Sequence, residues 1–182
     1  MILHQQIQIQ TMSKCSLIKS CTRVRDLGEV FTPRKIVRNM CNLIPKEIWK
    51  NIDATFLEPA CGNGNFIIEI LSRKLRLCKD INDCVRALQS IYGVDIMPDN
   101  VEECRCRMLG IVLAEIQKKE CVCWRNIKMI VEILETNIIC GDTLTMLDCN
   151  GDDLKFKDWK TGQFETLKQM LNAEPVQTEL EL

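Results

Sequence analysis

The sequence predicts an α/β fold built on an open parallel sheet, and three observations predict it. Short apolar runs at 54–57, 91–95 and 137–140 have the length and composition of buried strands. Segments with helical spacing of apolar residues separate these runs. A turn with two glycines, Glu58-Pro-Ala-Cys-Gly-Asn-Gly-Asn65, directly follows the first run. This alternation is typical of parallel strands joined by right-handed crossovers. A complete domain of this type needs more than three strands, so the predicted sheet is incomplete.

Length and composition set the class of protein. The chain has 182 residues, of which 46% are hydrophobic and 27% charged, and its formal net charge is −1. Such a chain can bury a core, which excludes disorder of the whole sequence. The near-neutral charge argues against a strong general nucleic-acid binder and leaves room for a local basic patch. No apolar run approaches the roughly 20 residues of a membrane span, and the N-terminus lacks the pattern of a signal peptide. We therefore expect a cytoplasmic protein without a membrane partner.

Twelve cysteines and a single histidine, His4, raise the question of metal or disulfides. A disulfide scaffold would normally follow a secretory signal. The sequence contains no Cys-x-x-Cys pair. Cys104 and Cys106, like Cys121 and Cys123, lie two apart in or beside predicted helices, where their side chains point to different faces. We expect reduced cysteines that pack as small apolar residues, and no metal.

The segment before the first strand is predicted to contain an arm and a helix. Residues 1–27 are polar without strong periodicity and are interpreted as a weakly ordered arm or a short helix. Thr32 is the predicted N-cap of the next helix, with Pro33 in its first position. The apolar residues at helical spacing after it are Ile36, Val37, Met40 and Leu43. Pro45 is predicted to open a further helical turn through Trp49.

Three helical segments follow the glycine turn. In the first, Phe66, Ile67, Ile70 and Leu71 are predicted to face inward, and Arg73, Lys74 and Arg76 outward. A short helix is predicted near 81–89. After Pro98 a long helix should bury Val101, Cys104, Met108 and Val112 on one face. A further helix is predicted over 123–135.

The pattern divides the chain into residues 1–27 as the arm, 28–148 as the α/β domain, and 149–182 as an extension and tail. Within the last part, Asn150-Gly-Asp-Asp153 is a predicted turn, and 163–171 is a short amphipathic stretch. The last nine residues are interpreted as a frayed tail. Trp159 and Phe164 are two aromatic residues of this region, and we interpret them as core or interface residues.

Chemistry concentrates where the predicted strands end, which is where ligands bind in open parallel sheets. Gly62 and Gly64 after the first strand allow close approach of the backbone to a ligand. Asp95, at the end of the second strand, can accept hydrogen bonds from the two hydroxyls of a ribose. Asp142, at the end of the third, can accept from an adenine amino group. Together they predict an adenosine site. In the structural alternatives, Asp95 caps the following helix and Asp142 is a turn residue.

Other nucleotide sites fit less well. A dinucleotide fingerprint would need a third glycine where Ile67 stands, and Asp95 follows after about 30 residues rather than about 20. The sequence has no Gly-Lys-Ser/Thr and hence no P-loop. Glu58 suits the positive amino and sulfonium end of S-adenosylmethionine better than a pyrophosphate. Cys61 is interpreted as a packing residue, because no histidine near it in sequence would activate a nucleophile.

Four segments together carry a family resemblance. They are Gly28-Glu-Val-Phe-Thr-Pro33, Leu57-Glu-Pro-Ala-Cys-Gly-Asn-Gly-Asn-Phe66, Gly93-Val-Asp-Ile-Met-Pro98 and Ile138-Ile-Cys-Gly-Asp142. In this order, over residues 28–144, they resemble the motifs of DNA adenine-N6 methyltransferases, in the group whose Phe-Thr-Pro element precedes the glycine loop. The resemblance implies a Rossmann-like class I methyltransferase sheet with an N-terminal helical arm, S-adenosyl-L-methionine as cofactor and DNA as partner.

The resemblance also implies which residues bind the cofactor. Phe31, Thr32 and Pro33 would border its methionine end. Glu58, Ala60 and Gly62 would line the methionine and sulfonium region, within a binding loop that also includes Pro59, Cys61, Asn63 and Gly64. Asp95 would bind the ribose hydroxyls, with Ile96 packed against the adenine. Asp142 would accept from the adenine amino group, flanked by Thr143 and Leu144.

The catalytic Asn/Asp-Pro-Pro-Tyr/Phe motif of this family is absent. The chain has five prolines, none adjacent to another, and its one tyrosine is Tyr92 in the second strand. No catalytic residue is therefore predicted. The chain is interpreted as the cofactor-binding part of a methyltransferase whose catalytic motif and target recognition come from a second chain or were lost. Two alternatives stay open, namely a non-catalytic cofactor-binding module or partner subunit of a modification system, and a stand-alone methyltransferase with another substrate.

Overall fold

The structure, a computed structural model, describes residues 17–119 and 123–172. The predictions for His4, for Cys121, for residues 1–16 of the arm and for the tail at 174–182 lie outside these ranges. The division of the chain at residues 28 and 149 stays a prediction.

Helices and strands alternate over most of the described chain. The helices are α1 Cys21–Leu27, α2 Arg34–Cys41, α3 Lys46–Trp49, α4 Asn65–Leu75, α5 Ile81–Gln89, α6 Pro98–Gln117, α7 Trp124–Asn137 and α8 Leu167–Asn172. The strands are β1 Phe56–Glu58, β2 Ile91–Asp95, β3 Ile138–Asp142, β4 Leu147–Asp148, β5 Lys155–Lys157 and β6 Phe164–Thr166. None of the described helices is long and apolar enough to cross a bilayer.

The main sheet has the strand order β1-β2-β3-β4. Its first three strands are parallel and β4 runs antiparallel to β3, which makes the fold mixed α/β. The predicted bounds of β2 are confirmed. β1 begins at Phe56 rather than at Ala54, because the Phe56 N–H is the group that bonds to Ser90 O of the neighbouring segment. β3 begins at Ile138 rather than at Asn137, which still belongs to α7.

The two faces of the sheet are covered by different parts of the chain. Ile91 and Ile138 belong to the core formed with α4, α5, α6 and α7. Tyr92 and Val94 pack instead with the C-terminal segment, at Leu154 just before β5, Phe156 in β5 and Leu167 at the start of α8. Since side chains alternate along a strand, these sets lie on opposite faces. The helical crossovers thus cover one face, and the C-terminal segment covers the other.

Most helical predictions are confirmed in position and facing. The predicted face of α6 is buried along its whole length, at Val101, Cys104, Met108 and Val112. α5 has its predicted bounds, and α7 begins one residue after the predicted start at 123 and ends two residues after the predicted end at 135. Pro45 precedes α3 as its N-cap.

The prediction for the start of α2 is wrong. The N-cap is Pro33 and the first helical residue is Arg34, so Thr32 lies outside the helix and caps nothing. The carbonyl of Thr32 accepts a hydrogen bond of 3.0 Å from Asn65 Nδ2, which ties this segment to α4. Val37 is buried, whereas Ile36, Met40 and Leu43 are exposed. The buried apolar residues of α2 are Val37 and Cys41, four residues apart, and its other apolar residues, Ile36 and Met40, are exposed.

Lys74 is also predicted wrongly, since it faces inward. Its side chain is 1% exposed, and its ammonium donates to Ile52 O at 2.7 Å, to Ala54 O and to Ser90 Oγ at 2.6 Å. Burial lowers the pKa of Lys74 to about 8. Lys74 follows the buried Leu71 by three residues and so lies on the inward face of α4. Through these three hydrogen bonds, Lys74 joins the segment before β1 to Ser90, the residue before β2.

The region after β4 is a turn followed by a hairpin and a short helix. Asp148 accepts from the N–H groups of Asn150 and Asp152, which gives the predicted turn. The stretch predicted as amphipathic contains strand β6 and then α8. Trp159 is half-buried and donates from Nε1 to Asn137 Oδ1 at 2.9 Å, whereas Phe164 is 58% exposed. The cysteines of the described ranges are free, and those in the core are Cys41, Cys61, Cys78, Cys84 and Cys104.

Replacement of Lys74 by alanine should lower the free energy of unfolding by about 3 kcal/mol, because it leaves buried carbonyls without a donor and a cavity beside β1. Urea denaturation followed by circular dichroism measures this change. Lys35→Ala, at an exposed position of α2, is the matched control and should change stability by less than about 0.5 kcal/mol. Equal stability of the two variants would contradict a bonding role for Lys74.

Candidate functional site

A cleft of about 380 Å³ opens at the carboxyl ends of β1 and β2. Its walls come from the segment between α1 and α2, the glycine turn after β1, the end of β2 and the first turn of α6. Its lining residues are Leu27, Gly28, Glu29, Val30, Phe31, Thr32, Glu58, Ala60, Cys61, Gly62, Asn63, Asn65, Phe66, Asp95, Ile96, Met97 and Asn100.

Asp95 connects the walls of this cleft. Its Oδ2 accepts from the backbone N–H of Gly62 at 2.8 Å. Its Oδ1 accepts from the N–H of Met97 at 3.0 Å and from Asn100 Nδ2 at 3.0 Å. Met97 is the N-cap residue of α6, so the carboxylate also orders the start of this helix. A carboxylate offers roughly four acceptor positions, so Oδ2 keeps capacity for a further donor.

The glycine turn packs closely against Phe31 and Cys104, and two of its residues have left-handed backbone conformations. Gly62 has φ +52°, and a Cβ on it would lie 3.2 Å from the ring of Phe31. Gly64 has φ +89° and is the N-cap of α4, and a Cβ on it would overlap Cys104 Sγ. Both positions need glycine for their conformation and for the close approach.

Glu58 brings a carboxylate into the cleft without a cation beside it. It is half-buried, and burial raises its pKa above the usual value. Its contact with the backbone N–H of Ala60 is long, at 3.4 Å. Within the described chain it forms no ion pair. A buried carboxylate of this kind is stabilised by any cation that enters the cleft.

Ion pairs hold the N-terminal wall against α6. Lys19 lies 2.7 Å from Glu103, and Arg23 lies 2.9 Å from Asp99. The hydrogen bond from Arg23, together with Lys19, lowers the pKa of Asp99 to about 2. The ring of Phe31, in the same wall, is buried and packs against Gly62. Partly exposed pairs contribute little singly, so the wall depends on several acting together.

The cleft contains two polar residues, Glu29 and Asn100, that are not among the predicted site residues. Asn100 is 1% exposed, and its amide donates to Glu29 Oε2 at 2.8 Å as well as to Asp95. Glu29 lies within the segment Gly28–Pro33. An acidic residue this close to the predicted site residues Phe31 and Thr32 could have indicated a place in the cleft. Asn100 had no such signal, because its position in the first turn of α6 is typical of a surface residue.

The structure brings many of the predicted site residues together. Those lining the cleft are Phe31, Thr32, Glu58, Ala60, Cys61, Gly62, Asn63, Asp95 and Ile96. Those outside its lining are Pro33, Pro59, Gly64, Asp142, Thr143 and Leu144.

The residues after β3 form a turn of their own. Asp142 Oδ1 accepts from the N–H of Leu144 at 2.8 Å, as in the structural alternative for this residue. Thr143 donates to Pro59 O at 3.1 Å, and the side chain of Leu144 is 92% exposed. The proposed contacts of these residues with an adenine stay a prediction.

Cys61 is a packing residue in this arrangement. Its thiol is buried, and a hydrogen bond with Cys104 together with burial raises the pKa of Cys61 well above its usual value. A protonated thiol is a weak nucleophile. Cys104 is buried and Cys106 exposed, so they face different sides of α6. In residues 17–119 and 123–172, no three His, Cys, Asp or Glu side chains are grouped as metal ligands.

Comparison with known proteins gives one family and two relatives. The family described as N-6 DNA Methylase matches residues 17–139. The Type II methyltransferase M.VspI of Vibrio sp. (strain 343) is 30% identical over 96 residues, which are 51% of this chain and 20% of that protein. The adenine-specific methyltransferase PglX of Streptomyces coelicolor is 38% identical over 65 residues, which are 32% of this chain and 5% of that protein. No solved structure matches significantly.

The Gly64→Ala variant should lower the free energy of unfolding by about 3 kcal/mol, because the left-handed conformation and the contact with Cys104 are both unfavourable for alanine. Gly110 lies in α6 with open space around it, so Gly110→Ala should instead raise stability by about 0.5–1 kcal/mol. Thermal and urea denaturation compare the variants. A Gly64→Ala protein as stable as Gly110→Ala would disprove the close packing of the turn on α6.

Proposed function

Because this chain belongs to the N-6 DNA methylase family, we propose that it is the cofactor-binding part of an enzyme that transfers a methyl group from S-adenosylmethionine to the N6 atom of adenine in DNA. The chain spans about a fifth of the length of the Vibrio relative and about a twentieth of the Streptomyces relative. The proposed sheet is the Rossmann-like one of class I methyltransferases, with β1, β2 and β3 as the half that holds the cofactor.

The observation that carries this proposal is the charge of the cleft. Glu29, Glu58 and Asp95 line it, and its described lining contains no lysine or arginine. A pyrophosphate would be repelled there, so a dinucleotide is a poor ligand. S-adenosylmethionine carries an ammonium, a sulfonium and two ribose hydroxyls, which acidic acceptors favour. The location at the carboxyl ends of parallel strands agrees with nucleoside binding.

Each wall has a role in this proposal. Glu58 attracts the positively charged end of the cofactor, and the narrow turn at Gly62 lets the backbone lie against it. Asp95 accepts from a ribose hydroxyl, and the exposed side chain of Ile96 covers one face of the adenine. When bound, S-adenosylmethionine supplies an electrophilic methyl group. Phe31 and Thr32 border its methionine end, and Asp142, with its neighbours Thr143 and Leu144, lies toward the adenine amino group.

The groups that accept from the target adenine must come from outside these 182 residues, which contain no Asn/Asp-Pro-Pro-Tyr/Phe motif. The free edge of β1 offers a place for them. The backbone N–H of Phe56 bonds to Ser90 O, on the β2 side of the strand. Because alternate residues of a parallel strand bond to opposite neighbours, the backbone N–H and C=O of Leu57 point away from β2. No described residue forms a hydrogen bond with these two groups. In a doubly wound sheet the next strand lies at this edge. We propose that a second protein chain supplies such a strand, ending beside Glu58.

The absence of that motif also favours a second candidate, a non-catalytic module that holds S-adenosylmethionine or joins a modification complex. Both functions require the same cleft and differ in the partner. A partner that supplies an Asn-Pro-Pro-Tyr segment indicates a divided enzyme, and a partner with its own complete cofactor site indicates a module. The stand-alone methyltransferase and the cytoplasmic location stay predictions.

Titration calorimetry of the purified chain with S-adenosylmethionine should give micromolar binding, and Asp95→Asn should weaken it by about tenfold or more, equivalent to about 1.4 kcal/mol. The substitution changes one acceptor and disturbs the contact with Gly62. Asp152→Asn, in the exposed turn after β4, is the matched control and should bind as the wild type does. A folded wild-type chain that binds no cofactor would refute the proposed cofactor site of this chain.

Glu58→Gln should weaken binding of S-adenosylmethionine by about tenfold and binding of S-adenosylhomocysteine by much less, because only the former carries the sulfonium charge. The same calorimetric titration with both ligands measures the difference. Equal losses of affinity for the two ligands would place Glu58 away from the sulfonium.

Affinity for S-adenosylmethionine should also rise with pH as Glu58 loses its proton, because the pKa of Glu58 is raised and the cation binds the carboxylate form.

A further inference from the structure

Beside Asp95, the cleft contains buried hydrogen-bond acceptors for which the described residues provide no donor. Asn100 Nδ2 donates to Glu29 Oε2 at 2.8 Å and to Asp95 Oδ1 at 3.0 Å, so both amide protons are used. Asn100 Oδ1 and Glu29 Oε1 are buried and have no partner in the described chain. The side chain of Glu29 is only 10% exposed.

Buried acceptors without a donor are unfavourable and rare in folded proteins. The nearest cation, Arg23, lies 3.6 Å from Glu29 Oε2, the oxygen that Asn100 already bonds, and its guanidinium is held by Asp99. No donor within residues 17–119 and 123–172 therefore serves Glu29 Oε1. Because Glu29 and Asn100 both line the cleft, the missing donor is expected from a ligand.

We propose that Glu29, positioned by Asn100, accepts a hydrogen bond from one ribose hydroxyl of the bound nucleoside, while Asp95 accepts from the other. This inference rests on the proposed function and adds the residues that read the sugar. On binding, the Glu29 side chain turns its free oxygen toward the hydroxyl.

The chemistry of the cluster defines which sugars it accepts. Two carboxylates and an amide oxygen accept hydrogen bonds and donate none, so a hydroxyl fits them and a phosphate is repelled. The cleft should therefore select ribose with both hydroxyls free, and should reject deoxyribose and ribose that carries a phosphate. Asn100 holds Glu29 and Asp95 side by side, and thus sets the spacing of the two acceptors.

A double-mutant cycle on the full chain tests this assignment. The ligands are S-adenosylhomocysteine and its 2′-deoxy and 3′-deoxy analogues, titrated by calorimetry into wild type and Glu29→Gln. In the wild type, each analogue should bind about tenfold more weakly than the parent, because each lacks one of the two bonded hydroxyls. In Glu29→Gln, which removes the charge of the acceptor, affinity for the parent should fall about tenfold. The analogue that lacks the hydroxyl bound by Glu29 should then lose less than about threefold further, because both changes act on the same hydrogen bond, whereas the other analogue should keep its full loss.

The controls separate ligand binding from a structural role. Glu132→Gln makes the same chemical change at an exposed position of α7 and should match the wild type for all three ligands. If Glu29 only held the wall in place, its substitution would weaken the parent and both analogues by equal factors, which would overturn the proposal. If circular dichroism shows that Glu29→Gln does not fold, Glu29→Asp, which keeps the charge, carries the same cycle.

The outcomes also distinguish this inference from the proposed function. A wild-type chain that binds S-adenosylhomocysteine without coupling between Glu29 and either hydroxyl overturns the sugar assignment and leaves the cofactor site standing. A folded wild-type chain that binds none of the three ligands overturns both.

Discussion

The carboxylate of Asp95 is the interaction on which the cleft depends. Through its hydrogen bonds to Gly62, Met97 and Asn100, one side chain joins the turn after β1, the start of α6 and the wall that contains Glu29. Gly62 is 33 residues from Asp95 in sequence, and the two meet because the parallel strands β1 and β2 end at the same edge of the sheet. The site is therefore a consequence of the sheet order, and its polar contacts are shared between structure and proposed binding.

Packing around the sheet stabilises the strands whose carboxyl ends form the cleft. Lys74 holds the entry of β1, and Gly64 lets α4 begin directly against Cys104 of α6. The helices fill one face with apolar side chains, and Leu154, Phe156 and Leu167 cover the other. The edge of β1 has no partner strand in the described chain, and unpaired strand edges readily accept another strand. The proposed second chain depends on this free edge.

The electrostatics of the cleft explain why family membership and geometry point to the same ligand. Three acidic side chains and the absence of basic ones in the described lining oppose phosphate and favour a cation with hydroxyl donors. The raised pKa of Glu58 has the same origin, since burial without a cation disfavours its ionised form. The basic side chains nearby, Lys19 and Arg23, form ion pairs with acids of α6, and Arg23 also lies 3.6 Å from Glu29 Oε2 in the wall of the cleft.

Local patterns in the sequence determined the bounds of β2, the buried face of α6, the turn with its glycines and Asp95 at a strand end. These features depend on alternation, helical spacing and residue types close together in the chain. Only the tertiary structure decided that Lys74 turns inward, that Ile36 and Met40 of α2 stay exposed, and that Asn100 joins Glu29 to Asp95. The acceptors of Lys74 lie 16 to 22 residues from it, and Glu29 lies 71 residues from Asn100. No local period records where such partners will lie.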